Sequence, residues 1–272
     1  MTATGRHLTI EGKGHPPVSG IVVEAADAVA LLVLGHGAGA PMTHPFMELL
    51  AGALAGEGIS TLRYNFAYME AGRKRPDYIR RLLAVVRSAL LAGKECADGL
   101  PLLAGGKSMG GRMTSTLVAE RAQAVGTGTG NPANRPGEND AAYAPGKQAR
   151  AQGASVALAE PATQDLRGLV FFGFPLHAPG RHESVRGDHL AHVPCPMLFH
   201  QGTRDRLADL GLLRPLLERI GMRATLHVVE GGDHSLGMLK RSGRTQDDVL
   251  AEVAAVTRRW TEGVLAGTGR AT

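Results

Sequence analysis

Aromatic residues are scarce in this chain. They make up 4% of 272 residues, with a single tryptophan. A core must still form, since 43% of the residues are hydrophobic, so it has to be built from Leu, Val, Ala and Met. Cysteine is almost absent. Cys96 and Cys195 stand far apart and make no CxxC, which fits buried or free thiols of a reducing compartment better than a disulfide framework. No apolar run approaches membrane-spanning length, and the N-terminus has no apolar signal region. The expectation is a soluble, cytoplasmic protein with no membrane partner. The net charge of +5 is spread among scattered basic residues with little aromatic interleaving, so it does not call for nucleic acid. The histidines show no HExxH or paired-cysteine spacing, so no metal site is expected.

One stretch lacks core-forming residues. Between Gly126 and Ala154 there is no Ile, Leu, Val, Met or Phe. Such a segment cannot bury enough apolar surface to order itself. It reads as a flexible, low-complexity insertion, at about 126–165, in a single domain spanning 1–272.

The remainder alternates short apolar runs with helical patterns. Leu8–Glu11 and Gly20–Ala26 look like a leading antiparallel pair. Ala30–Leu34, Ile59–Tyr64, Leu100–Ala104, Arg167–Phe172, Pro196–His200 and Thr225–Glu230 read as strands, most of them buried on both faces. Between them lie helical stripes: Phe46, Leu49, Leu50, Ala53 and Leu54; Ile79, Leu82, Leu83, Val86 and Leu90; Leu213, Leu216, Leu217 and Ile220. This alternation predicts an α/β fold with a doubly wound, mostly parallel sheet flanked by helices. Little chain is available between Phe174 and Pro196 for a large cap.

In such sheets ligands bind outside the carboxyl ends of the strands. Four predicted strand ends carry chemistry. The first is Gly35-His-Gly-Ala-Gly39. The second is Gly106-Lys-Ser-Met-Gly110, a Gly-x-Ser-x-Gly pattern that would lift Ser108 on a sharp strand-to-helix turn. The third is Asp205 and the fourth His234. A serine hydroxyl needs a base to take its proton as it attacks, and the base needs an acid to orient it. The order Ser108, Asp205, His234 supplies that set, with the N–H groups of Ala38 and Met109 placed to hold an oxyanion. Asp209 is a nearby alternative acid, whereas Asp233 is too close in sequence to orient its neighbour. His36 reads as a brace for its loop. Gly37, Gly39, Arg73 and His177 are candidate substrate contacts; Arg73 stands in a basic turn, Arg73-Lys-Arg75, that reads either as an anion pocket or as a solvated face. Lys107 fits an ion pair or a ligand contact equally well. The phosphate-loop reading of Gly106-Lys-Ser108 fails, because that motif requires glycine where Pro101 stands.

Six stretches carry a resemblance: Gly35–Gly39, Arg63–Phe66 with Tyr68–Pro76, Gly105–Arg112, Phe174–His177, Gln201–Asp205 and Gly232–Ser235. On these the chain resembles the α/β-hydrolase superfamily, near dienelactone hydrolase. More narrowly, it looks like the bacterial hydrolases sharing the hydrolase-like domain of a testis-expressed protein and of an NSL chromatin-complex subunit. The resemblance implies an α/β-hydrolase fold with a Ser108, Asp205, His234 triad and supplies no substrate. The expected activity is that of a serine hydrolase cleaving an ester, lactone or thioester of a small molecule through an acyl-enzyme, without cofactor. The alternatives are a non-catalytic binding module of the same fold and an acyltransferase or peptidase using the same triad.

Overall fold

The structure is a computed structural model that describes residues 5–126, 161–182 and 186–267. Residues 127–160, where most of the expected insertion falls, lie outside the described residues. From 161 onward that segment has structure: Pro161–Gln164 makes a short helix, and Asp165 pairs with Lys94.

Eight strands form one sheet. In chain order the elements are β1 (Arg6–Ile10), β2 (Val18–Val23), β3 (Ala30–Gly35), α1 (Pro45–Gly56), β4 (Ile59–Tyr64), α2 (Ala67–Glu70), α3 (Ile79–Ala97), β5 (Leu102–Lys107), α4 (Met109–Gly126), α5 (Pro161–Gln164), β6 (Leu166–Phe172), β7 (Met197–Gly202), α6 (Leu210–Ile220), β8 (Ala224–Val229) and α7 (Gln246–Leu265). The sheet order is β1-β2-β4-β3-β5-β6-β7-β8. β1 and β2 pair antiparallel, as does β2 with β4, and the strands from β4 to β8 run parallel.

The central strands are buried along their whole length because helices cover both faces. Leu31, Val33, Ala104, Phe171 and Phe199 point to the layer holding α3, α4 and α6. Leu32, Leu34, Leu103, Phe172 and Leu198 point to the layer of α1 and α7, where Trp260 is buried. Successive residues of each strand thus feed opposite cores. From β3 the chain returns to one neighbour, β4, and then crosses to the other, β5. That reversal opens a crevice between the carboxyl ends of β3 and β5.

Two predicted core positions are solvent-facing. Leu49 is 46% exposed and Ile79 47%. α1 buries Phe46, Met47, Leu50, Ala51 and Leu54, a stripe centred between Phe46 and Met47, and 3.6 residues per turn carries Leu49 off its edge. Ile79 opens α3, one turn ahead of the first buried position, Leu82. No cap domain is evident between Phe174 and Pro196, where the described residues add only a bridge between Ala178 and Arg181 and a 3₁₀ turn at Asp188–His192. No helix among the described residues is long and apolar enough to cross a membrane.

Candidate active site

β5 ends at Lys107 and α4 begins at Met109, so Ser108 alone makes the turn between them. Its φ is +49°, a left-handed conformation that a non-glycine residue rarely adopts. Its carbonyl accepts the N–H of Arg112, and its own N–H donates to Phe172 of β6. The turn is tight because glycines flank it. A Cβ on Gly106 would stand 2.3 Å from the Gly35 carbonyl oxygen.

The loop after β7 presents Asp205, whose side chain is fully buried. Oδ1 accepts the N–H of Leu207, and Oδ2 accepts from the Gln201 amide and from His234 Nδ1, the latter at 2.8 Å. Asp209 takes a different task. It caps α6 by accepting the N–H of Gly211, which removes it as an alternative acid. The loop after β8 carries His234, held by its neighbour. Asp233 accepts the N–H groups of Ser235 and Gly237 through Oδ1, and its own N–H donates to the Gly237 carbonyl. Asp233 therefore builds the turn that aims His234.

His234 Nε2 lies 2.8 Å from Ser108 Oγ. A carboxylate only accepts hydrogen bonds, so Nδ1 carries the proton toward Asp205. Nε2 then offers its lone pair to the Ser108 hydroxyl. The structure thus brings together three residues separated by up to 126 positions in sequence.

Ser108, His234, Lys107, Gly37 and Ala38 line a cavity of about 160 Å³, with Phe46 and Met47 of α1 beside them. Met109 sits next to Ser108 as the first residue of α4, where the helix dipole is positive. His36 is fully buried, and burial lowers its pKa to about 4. Its Nε2 accepts the Phe66 N–H and its Nδ1–H donates to Gly37, so it braces the Gly-rich loop as a neutral ring.

Three expected contacts fall elsewhere. His177 is buried, with Nδ1 bonded to the Ala178 carbonyl and Nε2 accepting the Asp209 N–H. Both nitrogens are committed to backbone, which ties the loop after β6 to the loop bearing Asp205. Arg73 is engaged by the buried Asp77 at 2.7 Å and does not line the cavity. Gly39 makes a left-handed turn at φ +87°, with nothing within 4 Å of where a Cβ would stand, and it too is outside the lining. Gln201 gives no signal of a role in sequence beyond its place in Gln201–Asp205; its folded position puts Nε2 on Asp205 and Oε1 on the N–H of Phe174.

A larger cavity, about 290 Å³, opens at the far ends of β5 and β6, where Lys94 and Asp165 pair with each other. Among the described residues no group of three His, Cys, Asp or Glu side chains is placed to hold a metal ion.

Comparisons with known proteins agree with this architecture. A sequence profile described as an alpha/beta hydrolase domain matches residues 28–150 and 138–262. A dienelactone hydrolase from Anabaena variabilis superposes with a TM-score of 0.61 at 16% identity, over 96% of this chain and 98% of that one. A Xanthomonas campestris protein, described as an α/β serine hydrolase without lid, superposes at 0.59 with 17% identity, over 100% and 98% of the two chains. The esterase domain of a Rhodothermus marinus protein gives 0.59 at 14% identity, over 94% and 97%. Identities this low carry the fold and no substrate. With the profile covering most of its length, the chain belongs to the α/β-hydrolase superfamily.

Proposed function

We propose that this hydrolase is a serine hydrolase that cleaves a carboxylic ester, lactone or thioester of a small molecule through an acyl-enzyme on Ser108. The observation that carries the reading is the chain of two 2.8 Å hydrogen bonds from Asp205 through His234 to Ser108.

Ser108 Oγ attacks the carbonyl carbon as its proton passes to His234 Nε2. Asp205 stabilises the imidazolium so formed and stays ionised. The carbonyl oxygen becomes an oxyanion held by the N–H groups of Ala38 and Met109, and removal of one such donor costs about 3 kcal/mol of transition-state stabilisation. Collapse of this intermediate breaks the bond to the leaving group, which takes the proton from Nε2. Water then attacks the acyl carbon, giving a proton to His234 Nε2; the bond from that carbon to Ser108 Oγ breaks, Oγ takes the proton back from Nε2, and the acid leaves carrying the water's oxygen. The cavity beside Ser108 and His234, about 160 Å³, is small, which supports a small-molecule substrate.

Labelling with a fluorophosphonate probe tests the reading. Ser108 should be modified, and Ser108→Ala should abolish both labelling and hydrolysis of p-nitrophenyl acetate. Folded protein that never reacts would leave a binding module of the same fold. Faster turnover when an alcohol or amine replaces water as acceptor would make it an acyltransferase.

A further inference from the structure

Lys107 takes no part in the reaction just described, yet it stands directly before Ser108 and is only 7% exposed. Its Nζ donates to the backbone carbonyl of His234 at 2.6 Å. We propose that Lys107 is a positioning residue: its ammonium pins the backbone of His234 to the strand that carries Ser108. The proposal rests on the reading of Ser108 and His234 as base-paired nucleophile and base.

Three features support it. First, His234 sits on a loop that begins Gly231-Gly232, with Leu236 at a left-handed φ of +58°, and its ring is one-quarter exposed. Such a loop gains from a tether, since reacting groups lose rate steeply when displaced. Second, the tether starts on a buried strand in the middle of the sheet. Lys107 is the last residue of central β5, so nucleophile and anchor share one stretch of backbone.

Third, space is kept for the bond. Gly173, at the end of β6, has φ +70°, and a Cβ there would lie 2.6 Å from the His234 carbonyl oxygen and 3.2 Å from Nζ. Any side chain at 173 would wedge the pair apart. The ends of β5, β6 and β8 therefore converge on one carbonyl.

The charge fits this role. Burying an ammonium is costly, and a neutral donor would cost less. An ionised donor makes the stronger hydrogen bond to a carbonyl. The charged groups acting on Lys107 are Asp205, on the loop after β7, and Asp233, on the loop after β8; both oppose the lowering by burial, which brings its pKa to about 8. Phe46 of α1 has its ring centroid 6.0 Å from Nζ.

Lys107→Met keeps the length and removes the charge. Its kcat on p-nitrophenyl acetate should fall about tenfold or more while KM stays within about twofold, and Lys107→Arg should recover part of the loss. Amide hydrogen exchange across residues 232–236 should quicken in Lys107→Met, a readout that needs no turnover. A kcat near wild type, a loss confined to KM, or unchanged exchange would overturn the proposal. Should Lys107→Met not fold, Gly173→Ala decides. A Cβ there, 2.6 Å from the His234 carbonyl oxygen and 3.2 Å from Nζ, should lower kcat and quicken exchange across 232–236, and wild-type values of both would overturn the tether. Wild-type protein that no phosphonate labels would count against the serine-hydrolase reading instead, with the exchange measurement still judging the Lys107–His234 bond.

Discussion

A Cβ placed on Gly110 would stand 2.3 Å from the carbonyl oxygen of Gly35. Gly106 meets the same oxygen at the same distance. The root of the Gly-rich loop after β3 is thus pressed against both glycines of the serine turn, backbone on backbone. Neither neighbour is the end of a flexible side chain, so neither can give way cheaply. Gly106→Ala should lower stability by about 3 kcal/mol, in the range of overpacked cores, and abolish phosphonate labelling. Denaturant unfolding beside labelling checks this; an alanine variant of wild-type stability would mean the two strand ends can slide apart.

Ser108 itself is strained. At φ +49° a residue with a Cβ bears a cost of about 1–3 kcal/mol that glycine does not. Ser108→Ala and Ser108→Gly both remove the hydroxyl, but only glycine relieves the backbone. Ser108→Gly should therefore melt higher than Ser108→Ala by about 2–4 °C, after some offset from the more flexible unfolded chain. Both should be inactive. Equal melting temperatures would show that the turn holds no strain.

These glycine contacts explain why the turn was readable from sequence. Strand-to-helix turns of this tightness demand Gly at fixed offsets, and apolar runs ending in Gly35, Gly173, Gly202 and Gly231 mark the other strand ends. Ser108, Asp205 and His234 each follow such a mark. Roles that depend on side-chain pairing were not readable. Arg73 could be seen in a basic turn, but not that Asp77, four residues on, would be buried and draw it in. His177 could be seen at a strand end, but not that two backbone groups would take both nitrogens. Leu49 failed because the phase of a short stripe is set by the sheet beneath it.

The pairing of Arg73 changes what its removal should do. Its guanidinium bridges to Asp77, which Arg81 also approaches at 3.4 Å. Arg73→Ala should leave KM for acidic and neutral esters unchanged to within about twofold, because exposed charges away from a site contribute little. A selective rise in KM for an acidic ester would return Arg73 to the substrate pocket.

Acid should weaken the fold through buried histidines. Burial brings His36 and His189 down to about 4, and His200 well below the usual value. Above about pH 6.5 neither state protonates them, and stability is unaffected. Below that, the unfolded chain binds protons the folded chain refuses, so each ring removes about 1.4 kcal/mol per pH unit until its folded pKa is reached. The guanidinium midpoint should fall steeply between neutral pH and the low edge of that window. His189→Gln, which removes one such ring beside Ser115, should make the decline shallower. A midpoint independent of pH would mean these rings admit protons without unfolding.

Gln201 offers a test of how the acid is held. It spans two loops, accepting the Phe174 N–H after β6 and donating to Asp205 Oδ2. Oδ2 is also the oxygen that meets His234. Gln201→Leu keeps bulk and removes both bonds. It strands the buried Phe174 N–H, so stability should drop by about 1–3 kcal/mol. It also frees Asp205 to rotate away from Nδ1, so kcat should fall with KM nearly unchanged, as when an orienting partner of a catalytic group is lost. Gln201→Glu separates the two effects. A carboxylate at 201 can still accept from Phe174 but repels Asp205, so it should restore less activity than stability. Equal recovery of both would show that Asp205 is held by Leu207 and His234 alone.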